Sequence, residues 1–79
     1  MRVRKIQEIE VAGLGERIKK ARLASEKSLE TLCGEVGVSR TYWYDVEKET
    51  LKGTLSAENL AAIEQALGVS FDVSFEGRR

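Results

Sequence analysis

The apolar residues of this chain fall into four stretches with helical spacing, flanked by two with strand-like alternation. Leu14, Ile18 and Ala21 recur four and three residues apart, which places them on one face of a helix running from about Leu14 or Gly15 to Ala24. Arg17, Lys19 and Lys20 fall largely on its outside. Leu32 and Val36 stand four apart in LETLCGEV, and Trp43 and Val46 three apart in RTYWYDVEK. Each pair marks the inward side of a short helix. Gly37 lies between them, where a sharp turn needs a left-handed backbone that glycine adopts without a Cβ penalty. Ser39 can cap the helix from Arg40 to about Lys48 by accepting from backbone N–H groups otherwise left unpaired, and Ser28 can do the same for the helix before the turn. Ser56 opens a fourth helix with Glu58 in its first turn, Leu60, Ile63 and Leu67 as its inward stripe, and Gly68 as its stop. Cys33 is small enough to let the two central helices cross closely. Gly34, inside the first of them, costs about 1 kcal/mol relative to alanine, which a close neighbour would account for.

The two ends have a different period. Ile9 and Val11 alternate with Glu8 and Glu10, predicting a short strand around Gln7 to Val11. Phe71, Val73 and Phe75 alternate with polar residues, the pattern of a half-buried strand. A lone strand cannot satisfy its edges, so the N- and C-terminal strands are expected to pair, within one chain or across a dimer. The expected architecture is mostly α: a compact four-helix domain over residues 14–69, an N-terminal extension over 1–13, and a C-terminal strand and tail over 70–79.

Composition narrows the chemistry. At 79 residues the chain is one domain near the lower limit for an unaided core. No apolar run approaches the ~20 residues of a membrane helix and no secretory signal is visible, so a cytoplasmic protein is expected. A single cysteine cannot form an internal disulfide. There is no histidine, and the lone thiol is predicted to be buried, so neither a nucleophile–base pair nor a nitrogen/sulfur metal site can be assembled. No enzyme, metal or cofactor is expected. Thirteen basic and thirteen acidic residues cancel, but residues 1–27 hold eight Lys/Arg against four Glu, and residues 28–53 hold three basic against five acidic. Arg2, Arg4 and Lys5 form a small basic cluster that reads either as an arm touching phosphate or as a solvated terminus.

The central stretch resembles the Cro- and lambda-repressor-like, or XRE-class, helix-turn-helix family. The apolar positions Leu32, Val36, Val38, Trp43 and Val46, the small residue Cys33 and the turn residue Gly37 all match that pattern in type. The likeness extends outward through LGERIKKAR and NLAAIEQALGVS, covering roughly residues 14 to 70. It implies a DNA-binding fold in which the helix after Ser39 enters the major groove, and a homodimer reading two half-sites. Arg40 is then the leading candidate for base contact, because a guanidinium can bridge O6 and N7 of guanine. Thr41 can meet a thymine methyl or a base edge. Tyr44 and Lys48 also lie on the side opposite Trp43. By family position Tyr42 faces a phosphate and Asp45 a base edge, where Asp45 would accept from a cytosine amine or orient Arg40. The loop Glu49 to Leu55 runs beside the DNA backbone and offers Lys48, Thr50 and Lys52. Ser28 and Ser39 sit at the helix N-termini nearest the duplex. The family pattern also implies an ion pair between Arg22 and Glu47, the latter at a helix C-terminus where a nearby cation is favourable.

Two positions depart from the pattern. Leu29 stands where the family often carries a phosphate-binding glutamine, and Glu49 where it usually has glycine. The expected function is a sequence-specific DNA-binding transcriptional regulator, a repressor of bacterial, plasmid or phage type, with double-stranded DNA as partner. Its competitor is a protein-interaction module, an antitoxin or adaptor built on the same fold. The neutral charge, Leu29, Asp45 and the Tyr42–Trp43–Tyr44 cluster favour that second reading.

Overall fold

The computed structural model describes residues 1–5 and 8–73. Its helices are α1 (Leu14–Ala24), α2 (Leu29–Val36), α3 (Arg40–Lys48) and α4 (Ala57–Leu67). Local chemistry sets their ends. Ser28, Ser39 and Ser56 each accept from the backbone N–H three residues on, at Thr31, Tyr42 and Asn59, which caps α2, α3 and α4. Gly37 has φ 84 and ends α2, while the N–H groups of Gly37 and Val38 both reach the Cys33 carbonyl, at 2.7 and 3.0 Å. The chain then turns straight into Ser39, so α2 and α3 are joined by the short, sharp connection that the glycine predicted.

Each helix buries the stripe its spacing marks. Leu14 and Ile18 of α1, Leu32 and Cys33 of α2, Trp43 and Val46 of α3, and Leu60 and Ile63 of α4 are all buried. On α4 the third inward position is Ala66 rather than Leu67, which is half-buried. α1 packs against α3 and α2 against α4, and α2 also meets α3 across the turn. The Cys33 thiol lies in this crossing and donates weakly to the Ser39 carbonyl at 3.7 Å.

The two helical glycines behave differently. A Cβ on Gly34 would meet nothing within 4 Å, so no close approach accounts for that residue. Close approach occurs instead at Gly15, where a Cβ would stand 2.9 Å from the Val46 carbonyl oxygen and nearer still to that of Glu47. Only a residue without a side chain lets α1 cross the end of α3 at this distance.

A three-stranded sheet completes the fold, formed by β1 (Arg2–Arg4), β2 (Glu8–Glu10) and β3 (Leu55–Ser56) in the order β2-β1-β3. β1 runs antiparallel to β2, with Val3 opposite Ile9, and parallel to β3, with Val3 opposite Leu55. Val3 and Leu55 are both fully buried, so the sheet closes one end of the core. Among the described residues the N-terminal segment therefore pairs with itself and with the residues entering α4, and not with Phe71 to Val73. Phe71 to Val73 form no strand, and Phe75 lies outside the described residues. The reason lies in how the backbone groups of this segment are engaged. Asp72 has φ 58, and its N–H is taken by the Ser70 hydroxyl at 3.1 Å. Phe71 donates its N–H to Glu64 Oε2 and gives its carbonyl to Arg17, which leaves it no backbone group for a ladder. Its buried ring packs into the core all the same. Gln7, where the N-terminal strand was expected to begin, also lies outside the described residues.

Candidate nucleic-acid interface

α3 is held from behind by a buried polar cluster. Trp43 is fully buried, and its indole Nε1 donates to Glu47 Oε2 at 2.6 Å. Arg22, in the last turn of α1, donates Nε to the same oxygen at 2.5 Å and Nη2 to Oε1 at 3.0 Å. The Glu47 side chain is 4% exposed and that of Arg22 17%. A carboxylate so far from water must be paired and hydrogen-bonded, and three donors meet that need here. The hydrogen bonds to Glu47 hold the Arg22 guanidinium above its ordinary range, against the opposing effect of burial. The guanidinium also lies 5.8 Å from the centre of the Tyr44 ring, within cation–π range.

A second carboxylate ties down the end of α3. Glu49 adopts φ 59, the left-handed conformation that makes glycine the usual residue here. Its Oε2 accepts from the Gly15 N–H at 2.9 Å, one of the amides that the first turn of α1 leaves unpaired. Its Oε1 lies 3.0 Å from the Met1 amine. The Gly15 N–H, followed by that amine, holds the Glu49 carboxyl below the usual carboxylate range. The departure from glycine at this position thus comes with contacts that offset the backbone conformation.

With its back fixed, α3 turns Thr41, Tyr44, Asp45 and Lys48 outward, at the i, i+3, i+4, i+7 spacing of one helical face. Thr41, Tyr44 and Lys48 are exposed and Asp45 is half-buried. Arg40 is exposed at the head of the helix, and its guanidinium has no hydrogen-bond or ion-pair partner among the described residues. Ser28 and Ser39 are exposed, with their hydroxyl oxygens engaged as helix caps. Lys52 is exposed in the loop after α3.

Two of the candidate contacts have internal partners that residue types alone did not suggest. Asp45 does not turn toward Arg40. Its Oδ1 accepts from the Thr50 hydroxyl at 3.1 Å and its carbonyl from the Thr50 N–H at 2.8 Å, which folds the following loop back onto α3. Tyr42 is half-buried against α4, where its hydroxyl oxygen accepts from Asn59 Nδ2 at 3.0 Å. The phenolic proton remains available to an outside acceptor. Gly15 and Asn59 are thus parts of the site that the sequence did not mark, Thr50 was expected only as a loop contact to the DNA backbone, and Glu49 stood out there only as a departure.

Among the described residues no group of three or more His, Cys, Asp or Glu could hold a metal ion. None of the described helices is long and apolar enough to cross a membrane. No curated protein and no solved structure matches the chain. A model of the helix-turn-helix family, however, matches residues 18–74, from the middle of α1 to beyond α4. With α2, the Gly37 turn and the exposed row of α3 inside that span, the chain belongs to the Cro- and lambda-repressor-like, XRE-class family of DNA-binding helix-turn-helix regulators.

Proposed function

We propose that this protein is a sequence-specific transcriptional regulator, a cytoplasmic repressor of bacterial, plasmid or phage type that binds double-stranded DNA as a homodimer. One observation carries the reading. A helix whose back is locked by Trp43, Glu47 and Arg22 presents an open outward row, with an exposed, unpaired guanidinium at its N-terminal end. That end of a recognition helix is the one that meets base edges in the major groove. Arg40 supplies the bidentate base contact and Thr41 a second one, while Tyr44 and Lys48 lie further along the same groove. Tyr42, Lys52 and the caps at Ser28 and Ser39 face the phosphate backbone and set register rather than sequence. Asp45 acts on the loop through Thr50 and limits which bases can approach. The dimer is the arrangement that reads paired half-sites, and no cofactor takes part.

Selection of bound sequences from a random duplex pool tests this directly, with a two-fold symmetric winner as the expected result. Arg40→Ala should then cost about 1–3 kcal/mol on the selected site and relax preference at one base pair. An equal loss on random DNA would reduce Arg40 to a phosphate contact. The competing reading, an antitoxin or adaptor surface, draws support from the exposed side chains of Leu23 and Tyr44 at 66% and 41%. Salt separates the two, because binding through several phosphates weakens steeply as salt rises while an apolar protein interface barely responds.

A further inference from the structure

The α2–α3 unit has too little positive charge to hold a duplex by itself. Residues 28–53 carry three basic residues against five acidic ones, so the cations must come from elsewhere in the chain. Residues 1–27 hold eight, but several are already committed. Arg22 is bound to Glu47, Arg17 to the Phe71 carbonyl, Lys27 to Glu35 and the Ala66 carbonyl, and Arg2 to Glu8. Lys19 and Lys20 are exposed on α1, and nothing among the described residues links them to the outward row of α3.

Arg4 is placed differently. It is exposed, and its guanidinium has no hydrogen-bond or ion-pair partner among the described residues. In the parallel β1–β3 pairing it stands opposite Ser56, the residue that caps α4. Arg4 and Lys5 there line an open cleft of about 300 Å³ with Thr54, Ser56, Ala57 and Glu58. One residue beyond Glu58, the Asn59 amide donates to the Tyr42 hydroxyl in the first turn of α3. The cleft at the start of α4 thus lies one residue from the point where α4 touches the side of α3 that bears Tyr42.

From this arrangement we infer that the N-terminal hairpin is a second DNA-contacting element. Arg4 binds a backbone phosphate of the same duplex, flanking the bases that α3 reads. The inference rests on the DNA-binding reading above and adds to it a contact residue, Arg4, that lies outside residues 18–74, the span of the family match. The partner is the phosphodiester backbone and not a base edge, because Arg4 stands on β1 beside the start of α4 and off the row of α3 that enters the groove. Glu58 is the one acidic residue lining the cleft, and it lowers the affinity that Arg4 provides.

The test uses the full chain, the selected duplex and a random duplex, titrated between 50 and 200 mM salt. Arg4→Ala should weaken binding by the same factor on both duplexes and flatten the slope of log K against log salt by about 0.9. The loss at 50 mM should then be about 3.5-fold larger than the loss at 200 mM. Arg4→Lys should retain the slope, and Glu58→Gln should bind both duplexes more tightly than the wild type. An unchanged slope and affinity for Arg4→Ala, on a duplex that still depends on Arg40, would overturn the hairpin contact and leave the DNA-binding reading intact. A wild type with no salt-sensitive affinity for any duplex would overturn both.

Discussion

Gly15→Ala and Gly34→Ala are the same chemical change inside two helices of one core, and the structure assigns them opposite signs. At Gly34 the new methyl meets nothing within 4 Å. What remains is the backbone entropy that glycine loses on entering a helix, so alanine should stabilise by about 0.5–1 kcal/mol. At Gly15 the methyl would stand 2.7 Å from Glu49 Cγ and 2.9 Å from the Val46 carbonyl oxygen, with the Glu47 carbonyl closer again. Two of these three atoms are backbone and cannot rotate away. α1 must therefore lift off the end of α3 by roughly half an ångström or more, a gap that already forfeits a quarter of the dispersion energy of the contacts it opens. The same shift stretches the 2.9 Å Gly15–Glu49 hydrogen bond and the Arg22–Glu47 pair. Overpacking of this kind costs about 1–3 kcal/mol, more than the helix-propensity gain near a helix N-terminus can return. We expect a net loss near 2 kcal/mol, which for a domain of this size lowers Tm by roughly 8–15 °C. Gly34→Ala should instead raise it by a few degrees. Scanning calorimetry of the two variants beside the wild type measures both. A Gly15→Ala protein as stable as the wild type, or two variants shifted in the same direction, would refute the close α1–α3 crossing.

Arg22→Ala should destabilise by about 3–5 kcal/mol, because it leaves the nearly inaccessible Glu47 carboxylate with the Trp43 indole as its one remaining donor. Urea unfolding followed by the fluorescence of Trp43, the single tryptophan, measures the loss, and a change below about 1 kcal/mol would mean that the pair is solvated. Glu49 supplies a pH dependence. Its folded carboxyl titrates below the ordinary carboxylate value, so its contribution is fully present above that value of about 4.3 and fades as pH falls through the lower folded value. The stability deficit of Glu49→Gln against the wild type should accordingly shrink between pH 6 and pH 3. A constant deficit would show that the charge of Glu49 has no part in it.

The helices and their turn were legible because their causes are local. Gly37, Ser39 and the Trp43–Val46 spacing lie within a few residues of one another and specify a turn, a cap and an inward face without help from the rest of the chain. The sheet was not. β3 is two residues long, too short to show any alternation, and it pairs in parallel with a strand at the far end of the sequence. Phe71 to Val73 misled for the converse reason: their alternation is that of a strand, but the backbone groups of Phe71 are claimed by Glu64 and Arg17 from two different helices. Within the candidate site, the exposure of Arg40 and Thr41 follows from helical period alone. The partners of Asp45 and Tyr42 do not, since Thr50 and Asn59 reach them only once the loop and α4 are in place. Gly15 and Gly34 look alike as letters, and only the approach of a neighbouring backbone tells them apart.

The geometry also separates what sets the direction of α3 from what that helix offers to a partner. Its direction depends on α1, through the side-chain-free crossing at Gly15, the Arg22–Glu47 pair and the reach of Glu49 back to the first turn. Its outward row takes part in none of these, apart from the Arg22 guanidinium that lies against the Tyr44 ring. Substitutions at Thr41 or Lys48 can therefore change what is bound and leave Tm where it is. Substitutions at Gly15, Arg22 or Glu49 must move both, because a helix tilted by a fraction of an ångström at its base displaces every side chain along its exposed edge. Tyr44 is the exception that joins the two groups. Its ring belongs to the outward row and its face to Arg22, so it is the position at which a change in the support is felt first at the surface.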